Sequence, residues 1–351
     1  MKKTNSTLLS AAMLGLFFVA SAFNKAPSPA ELTGAGATFP YPLYSKMFSV
    51  YNGKTGVKVN YQSIGSGGGI KQLFAKTVDF GASDAYLSDK EMGDAGAAVV
   101  HIPTCLGAVC VAYNIAGVNN LNLDPATLGG IYSGSITKWD DPKIQAINKG
   151  TKLPSTPILV AHRSDGSGTT FIFTNYLCQV SSEFKGKVGN PGKTVNWPVG
   201  IGGKGNEGVA EQVKSSQGSI GYIELVYAKN NNISAANMKN SSGKFVAASL
   251  ESTSASAKDN IPADTRCDLI NSSSATAYPI TSFTWLLLYK EQNYNGRTRE
   301  QAKAMVDMMW WMIHEGQSTN EPLFYGKLPA KAIKAAEANL KSVTYGGKPL
   351  L

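Results

Sequence analysis

Strand-like and helix-like patterns alternate along the first half of the chain. Residues 57–62 alternate polar and apolar positions, as in a half-exposed strand, and residues 68–77 carry apolar side chains at helical spacing. Residues 78–83 show a further short strand pattern, and the apolar residues 108–113 predict a buried strand. Alternation of this kind predicts an α/β protein with largely parallel sheets flanked by helices.

The alternation continues through the second half, with one interruption. Residues 230–274 are rich in Asn, Ser and Ala and show little periodicity, which predicts surface loops with short helices. The methionines of the last helix pattern are typical of a packed core. The strands predicted in this half are 158–161, 219–223 and 283–289, and the helices are 169–179, 224–229 and 302–314.

Residues 1–22 have the pattern of a cleavable export signal. A short basic start precedes an apolar run over residues 8–20, and the small-x-small tripeptide at residues 20–22 is typical of a cleavage site. The alternative is a membrane anchor, but this run is shorter than the roughly 20 residues that span a bilayer. We therefore expect an exported protein whose mature chain begins near Phe23.

The length and charge of the exported chain narrow the possible classes of protein. About 330 of the 351 residues remain, which suggests two domains at roughly 100–200 residues each. The formal charge falls from +9 to +7, because Lys2 and Lys3 leave with the signal peptide. The other lysines are scattered and form no basic cluster with aromatic residues, so we predict no nucleic-acid partner. A diffuse positive charge favours small anions only weakly.

Four cysteines, Cys105, Cys110, Cys178 and Cys267, leave the redox state of the chain open. An exported protein can form disulfides. Cys105 and Cys110, however, are five positions apart in an apolar run that is typical of a strand, so they would face opposite sides of a sheet about 16 Å apart and cannot bridge each other. Any disulfide must therefore include Cys178 or Cys267, and buried thiols are the alternative. The cysteine spacings do not match those of zinc sites, so we predict no metal.

Three glycine-rich turns share a design that suits an anion. They occupy residues 33–40, 64–69 and 165–170, and each places glycines and a hydroxyl where a helix begins. The first N–H groups of a helix lack internal partners and carry partial positive charge, and glycine lets the backbone close on a ligand. Such turns hold phosphate or another oxyanion without a cationic side chain. One turn alone is usually a helix cap, but three in one exported chain predict an anion site.

Two charged residues refine this prediction. Arg163 precedes Ser167 by four residues, at the end of the strand that leads into the third turn, and could direct its guanidinium to the anion. Asp84 follows a predicted strand, at a carboxyl end where ligands collect in open α/β sheets. A buried carboxylate accepts a hydrogen bond from the P–OH of phosphate but meets only lone pairs and like charge on sulfate. The alternative for Asp84 is a helix cap for the segment that begins at Leu87.

Three other kinds of site do not fit their sequence context. Residues 200–205 match GxGxxG, but no apolar strand precedes them, which disfavours a dinucleotide site. His162 and Asp165 lie near Ser167, yet a strand end alternates its faces and the backbone turns between them, which disfavours a hydrolytic triad. The chain has three histidines, too few to favour a two-metal phosphatase.

Three longer motifs carry a resemblance to a known family. They are LTGAGATFP at residues 32–40, VDFGASD at residues 78–84 and RSDGSGT at residues 163–169. These motifs resemble those of bacterial periplasmic phosphate-binding proteins, and shorter similarities cover most of the mature chain outside residues 230–274. The chain is thus identified as a member of that family.

The resemblance implies a two-lobed periplasmic-binding-protein fold of type II. Each lobe would have a central β-sheet flanked by helices, with the ligand in the cleft between the lobes. We place the two chain crossings near residues 103–104 and 278–279. The first lobe then comprises residues 23–103 and 279–351, and the second comprises residues 104–278, which contain all four cysteines.

The resemblance also implies a function without catalysis. The protein would bind inorganic phosphate with high affinity in the periplasm and deliver it to the membrane permease of a phosphate ABC importer. We expect a monomer that needs no cofactor. The alternatives are an exported phosphatase on the same scaffold and a binding protein for another oxyanion, such as sulfate or molybdate.

A set of phosphate contacts follows from the same resemblance. Asp165 occupies the position of an acid that pairs with the site arginine and moderates its charge. Gly67 is a departure, because the family commonly has a second serine there; this should matter little if Ser66 supplies the hydroxyl. The implied contacts are backbone or side-chain groups of Ala37, Thr38, Phe39, Ser66, Asp84, Arg163, Ser167, Gly168 and Thr169.

Overall fold

The computed structural model describes residues 30–257 and 261–351. The signal peptide predicted for residues 1–22 lies outside the described residues. Among the helices that are described, none is both long and apolar enough to cross a membrane. The described chain forms a mixed α/β structure built around one large sheet.

Strands and helices alternate along most of this structure. The strands are β1 (Glu31–Gly36), β2 (Lys58–Ser63), β3 (Phe80–Ser83), β4 (Val99–Tyr113), β5 (Asn122–Leu123), β6 (Leu159–Arg163), β7 (Ile201–Gly203), β8 (Ser219–Glu224), β9 (Ser234–Ala235), β10 (Asn237–Lys239), β11 (Phe245–Val246), β12 (Thr281–Tyr289), β13 (Thr344–Tyr345) and β14 (Lys348–Pro349). The helices are α1 (Tyr41–Thr55), α2 (Ser66–Phe74), α3 (Asp89–Asp94), α4 (Pro125–Ser133), α5 (Pro142–Ile147), α6 (Gly168–Val180), α7 (Ser182–Val188), α8 (Gly205–Ser215), α9 (Leu225–Asn231), α10 (Leu250–Ser254), α11 (Arg299–Ile313) and α12 (Ala330–Lys341).

The large sheet has the strand order β2-β1-β3-β12-β4-β8-β6-β7, with β9 beside β4. Its two outer parts are parallel, since β1 pairs with β2 and β3, and β6 pairs with β7 and β8. Its centre is antiparallel, because β12 and β4 run against their neighbours. The predicted parallel pairing is therefore right for the outer strands and wrong for the centre.

The long strand β4 is shared by the two halves of the sheet. Its residues 99–108 pair with β12, and its residues 109–113 pair with β8. Pro103 lies where the pairing with β12 shifts register, and such an irregularity tolerates a proline inside a sheet. Proline usually marks the end of a strand pattern, which explains why the sequence analysis did not extend this strand to residues 99–103.

The other predicted elements are found close to their expected positions. The strands β2, β3, β6, β8 and β12 and the helices α2, α6, α9 and α11 all match predicted segments. Residues 230–274 contain the short helix α10, as expected, but they also contain β10 and β11, which join β5 in a small sheet. Met238 of β10 is fully buried, so this segment is more than surface loop. Strands of two or three residues are too short to show a period.

Three of the cysteines are buried free thiols, namely Cys105, Cys110 and Cys178. This agrees with the buried-thiol alternative for these positions. Burial raises the pKa of the Cys105 and Cys110 thiols well above its usual range, and thiols of this kind are inert.

Gly69 lets α2 pack directly on the carboxyl end of β1. A Cβ at this position would lie 2.4 Å from the carbonyl oxygen of Ala35 and 2.4 Å from the Cα of Gly36. Both are backbone atoms of β1, which is paired on both sides by β2 and β3, so neither can move aside cheaply. The close contact fixes the first turn of α2, which begins at Ser66, against the end of β1.

We therefore expect Gly69→Ala to lower the free energy of unfolding by about 1–3 kcal/mol, the usual cost of overpacking. Gly53→Ala in α1 is the matched control, because a Cβ there would meet nothing within 4 Å. The control should be neutral or slightly stabilising, since alanine favours helix over glycine by up to about 1 kcal/mol. Urea unfolding measures both variants, and equal free energies of unfolding would contradict the close packing.

Candidate functional site

The three glycine-rich turns all follow strand ends, and they meet. They connect β1 to α1, β2 to α2 and β6 to α6. The N–H of Gly67 donates to the carbonyl oxygen of Gly166 at 2.8 Å. A Cβ on Gly168 would lie 2.5 Å from Ser66 Oγ and 2.8 Å from the Cβ of Asp84. Turns from the two halves of the sheet are therefore in direct contact, and glycine is what permits the approach.

Arg163 ends β6 and lies almost fully buried between these turns. Its Nε donates to Asp165 Oδ1 at 2.8 Å, its Nη2 donates to Asp165 Oδ2 at 2.5 Å, and its Nη1 donates to Thr169 Oγ1 at 3.2 Å. Burial alone would raise the pKa of Asp165, but hydrogen bonds and charge from Arg163 hold it below its usual range. The carboxylate of Asp165 thus offsets positive charge of the guanidinium through a paired, charge-assisted hydrogen bond.

Asp84 follows β3 and is buried beside Arg163. Thr284 donates to its Oδ1 at 3.0 Å, and Thr169 lies 3.5 Å from its Oδ2. Burial raises the pKa of Asp84 to about 7, and the Thr284 hydrogen bond and the charge of Arg163 oppose that shift. The helix-cap alternative is wrong, because Ser88 caps α3. Asp84 is therefore a buried acidic residue that does not cap this helix.

The loop of Ala37, Thr38 and Phe39 has its carbonyl groups turned toward tyrosine hydroxyls. These hydrogen bonds fix the orientation of the three peptide groups. The side chain of Thr38 faces Asn206, which belongs to the other half of the sheet. The hydrogen bonds run from Tyr61 to the carbonyl oxygen of Ala37 (2.8 Å), from Tyr227 to that of Thr38 (2.7 Å) and from Tyr325 to that of Phe39 (2.7 Å).

Ser66 and Ser167 stand at the starts of α2 and α6. Ser66 Oγ accepts a hydrogen bond from the N–H of Asp84 at 3.3 Å, and Ser167 Oγ accepts one from the N–H of Thr170 at 3.0 Å. Ser167 therefore caps α6, and Gly168 begins the helix. The N–H groups of such a first turn have no partner inside the helix. This end of α6 lies directly against Ser66 and Asp84.

Asn206 belongs to the same cluster, and sequence analysis missed it. It is the second residue of α8 and is fully buried. Its Nδ2 lies 2.8 Å from Thr38 Oγ1 and 3.2 Å from Thr169 Oγ1. The sequence analysis rejected residues 200–205 as a dinucleotide motif and placed no ligand contact there or at Asn206. The signal that could have found Asn206 is the design of the other turns, a short strand and glycines leading into a helix, with an amide in place of the hydroxyl.

The alternative sites rejected from sequence remain without support in the described structure. The His162 ring stacks on Trp197, and its Nδ1 contacts the carbonyl oxygen of Arg163 rather than Ser167. The strand β7 lies within residues 200–205, so these glycines do not form the loop of a dinucleotide site. Within residues 30–257 and 261–351, no three His, Cys, Asp or Glu side chains are arranged to hold a metal ion.

A family model and two named relatives match most of this chain. A family model described as a PBP superfamily domain matches residues 22–312. The chain is 43% identical over 313 residues to the phosphate-binding protein PstS of Xylella fastidiosa, covering 88% of this chain and 84% of the relative. It is 41% identical over 337 residues to the phosphate-binding protein PstS of Pasteurella multocida, covering 95% of each.

A solved structure supports the same fold. PfluDING, described as a high-affinity periplasmic phosphate-binding protein bound with phosphate, superposes with a TM-score of 0.71. The match covers 88% of this chain and 93% of that one at 21% identity. At this identity the likeness concerns the fold alone.

The buried acid gives the stability of the protein a specific pH dependence. The pKa of Asp84 rises from 3.8 to about 7 in the folded state, so the folded protein holds this proton between about pH 4 and pH 7 while the unfolded chain releases it. The stabilising contribution is complete below about pH 4 and is lost as the pH rises through about 7. Asp84→Asn removes this dependence and should unfold at higher urea than the parent at pH 8.

Urea unfolding in phosphate-free buffers between pH 4 and pH 8 measures this effect. The difference in unfolding free energy between Asp84→Asn and the parent should shrink steadily toward pH 4. Parallel curves for the two proteins across this range would contradict the burial of an ionisable Asp84.

Proposed function

Because the chain belongs to the PBP superfamily and, within it, to the PstS phosphate-binding proteins, we propose that it binds free inorganic phosphate. It does so between the turns described above and performs no chemistry on the ion. The proposed contacts are Ala37, Thr38, Phe39, Ser66, Asp84, Arg163, Ser167, Gly168 and Thr169, with Asp165 as the partner of the arginine.

One observation carries the proposal, namely a buried cluster of donors around a single buried acid. Thr38, Ser66, Ser167 and Thr169 are all at most 2% exposed. Asn206 contacts the hydroxyls of Thr38 and Thr169, and Ser66 Oγ contacts the N–H of Asp84. The guanidinium of Arg163 supplies a full positive charge, and Asp165 offsets it. An anion stripped of water can be held by neutral dipoles of this kind without a strongly cationic pocket.

Asp84 gives the cluster its preference for phosphate over sulfate. Phosphate near neutral pH keeps at least one proton, which a carboxylate oxygen can accept. Sulfate has none, so the same oxygen would face lone pairs and like charge. A site that pairs with a ligand proton can reject the analogue without it by about 10⁴–10⁵.

A carrier role fits the surroundings of the site better than hydrolysis does. A phosphatase needs an activated nucleophile or metal-bound water. The hydroxyl of Ser167 caps α6, and the ring of His162 packs on Trp197 instead of approaching that hydroxyl. The relatives are likewise named as binding proteins. Incubation with a chromogenic phosphate ester distinguishes the two functions, because steady turnover would support the phosphatase.

The proposed lobes are residues 23–103 with 279–351, and residues 104–278. Contacts join these segments across the site, including the Gly67–Gly166 hydrogen bond and the ion pair of Lys193 with Glu91 at 2.8 Å. Closing of the lobes would complete the cluster of donors. We assign the protein to the periplasm as a monomer that presents phosphate to the permease of an ABC importer.

Calorimetric titration of the purified, phosphate-stripped protein with phosphate, arsenate and sulfate tests the proposed function. We expect tight binding of phosphate and no measurable binding of sulfate. Arsenate should bind as well, because it is tetrahedral and carries the same ionisable protons. Sulfate binding as tight as phosphate binding would contradict the proposal, and so would the absence of phosphate binding.

The variant Asp84→Asn should lower the ratio of phosphate affinity to sulfate affinity by at least about tenfold. Its amide keeps the shape of the carboxyl group but removes the negative charge that repels sulfate and adds a donor for a sulfate oxygen. The same titrations measure the ratio. A variant that still excludes sulfate as fully as the parent would show that Asp84 does not select the ligand.

A further inference from the structure

The side chain of Asn206 has a fixed orientation. Its Oδ1 faces the backbone N–H of Glu224 at 2.8 Å. Because a backbone N–H can only donate, the atom facing it must be the oxygen. The NH₂ group therefore points the other way, toward Thr38 and Thr169.

Asn206 gives Thr38 Oγ1 two donors. The backbone N–H of Asn206 lies 3.1 Å from this oxygen, and Nδ2 lies 2.8 Å from it. A hydroxyl has two lone pairs and one proton. Both lone pairs of Thr38 Oγ1 are therefore engaged, and its proton must be donated to something other than Asn206.

Thr169 is held in the same way. Its Oγ1 lies 3.2 Å from Nη1 of Arg163 and 3.2 Å from Nδ2 of Asn206. A guanidinium has no acceptor atom, and the NH₂ of the amide has none either. The hydroxyl proton of Thr169 is thus directed toward the side on which Asp84 and the proposed ligand lie.

We infer that Asn206 is a positioning residue that forces the hydroxyls of Thr38 and Thr169 to act as hydrogen-bond donors. This inference rests on the proposed binding of phosphate. Asn206 acts through the two threonines and need not touch the ion. Without the side-chain NH₂ group, each hydroxyl would keep only one of its two donors and could rotate to present a lone pair to an anion, which is repulsive. With this NH₂ group in place, the carboxyl group of Asp84 is the one acceptor among these side chains that faces the ligand.

A double-mutant cycle tests this inference by calorimetric titration of phosphate-stripped protein with phosphate. Asn206→Ala and Thr38→Val should each weaken binding roughly 10- to 100-fold, the size expected for hydrogen bonds to a charged group. The double variant should bind about as weakly as the more strongly affected single variant, because Asn206 cannot orient a hydroxyl that Thr38→Val has already removed. Losses that multiply would overturn the inference, since Asn206 would then act independently of the Thr38 hydroxyl.

Two controls separate positioning from a structural role. Thr38→Ser keeps the hydroxyl, so Asn206→Ala should cost its full factor in that background and only the part that acts through Thr169 in the Thr38→Val background. Asn148 is a buried asparagine whose amide also holds backbone groups, at 2.8 Å from the N–H of Asn122 and 2.9 Å from the oxygen of Ile144. Asn148→Ala should lower the melting temperature but leave phosphate affinity unchanged. Weakened binding in Asn148→Ala, or an equal factor in both Thr38 backgrounds, would contradict a positioning role.

A second variant covers the case in which Asn206→Ala does not fold. Asn206→Asp keeps the shape and the bond from Glu224 but replaces the NH₂ group by an acceptor, so the threonine hydroxyls would donate to it instead of to the ligand. We expect phosphate binding to be lost, and binding as tight as in the parent would overturn the inference. A parent protein that binds no phosphate would instead refute the proposed function.

Discussion

An anion that leaves water for a protein interior must recover its hydrogen bonds there, and this requirement governs the arrangement around Arg163. An unpaired arginine would bind many kinds of anion, and an arginine whose charge is fully neutralised would bind few. Asp165 takes two of the donors of Arg163 and lowers the net charge, while Nη1 contacts Thr169. In the proposed site, the remaining attraction for the anion would come from hydroxyls and helix N-termini, which would select a shape and a number of lone pairs rather than charge alone.

The fold serves this requirement by bringing strand ends from both halves of one sheet to the same place. β4 is common to both halves, so the turns after β1 and β2 face the turn after β6. Glycine allows the facing turns to touch, and tyrosine hydroxyls from distant parts of the chain hold the peptide groups of residues 37–39. Several groups near the site therefore hold other groups in place.

Local patterns predicted much of this arrangement. The family and the two-lobed fold implied by the three motifs are confirmed by the matches over residues 22–312 and to PfluDING. Glycines before a helix and a charged residue at the end of a strand form patterns within about ten residues of sequence. The glycine-rich turns and Arg163 could therefore be predicted from the sequence. The lobe boundaries and the individual phosphate contacts stay predictions.

What the sequence could not predict depends on contacts between residues far apart in the chain. Asn206 meets Thr38 across 168 positions, and the hydroxyl of Tyr325 meets the carbonyl group of Phe39 across 286. No spacing rule connects such pairs. The length of β4 was missed for a different reason, because Pro103 interrupts the strand pattern and the register shift that accommodates it arises only from pairing with β12.

A crystal structure of the protein grown with phosphate tests the central claim most directly. We expect one tetrahedral ion within hydrogen-bond distance of the Arg163 guanidinium, the Asp84 carboxyl group and the first turn of α6. An ion bound elsewhere, with Arg163, Asp84 and Thr169 still in contact only with one another, would contradict the account.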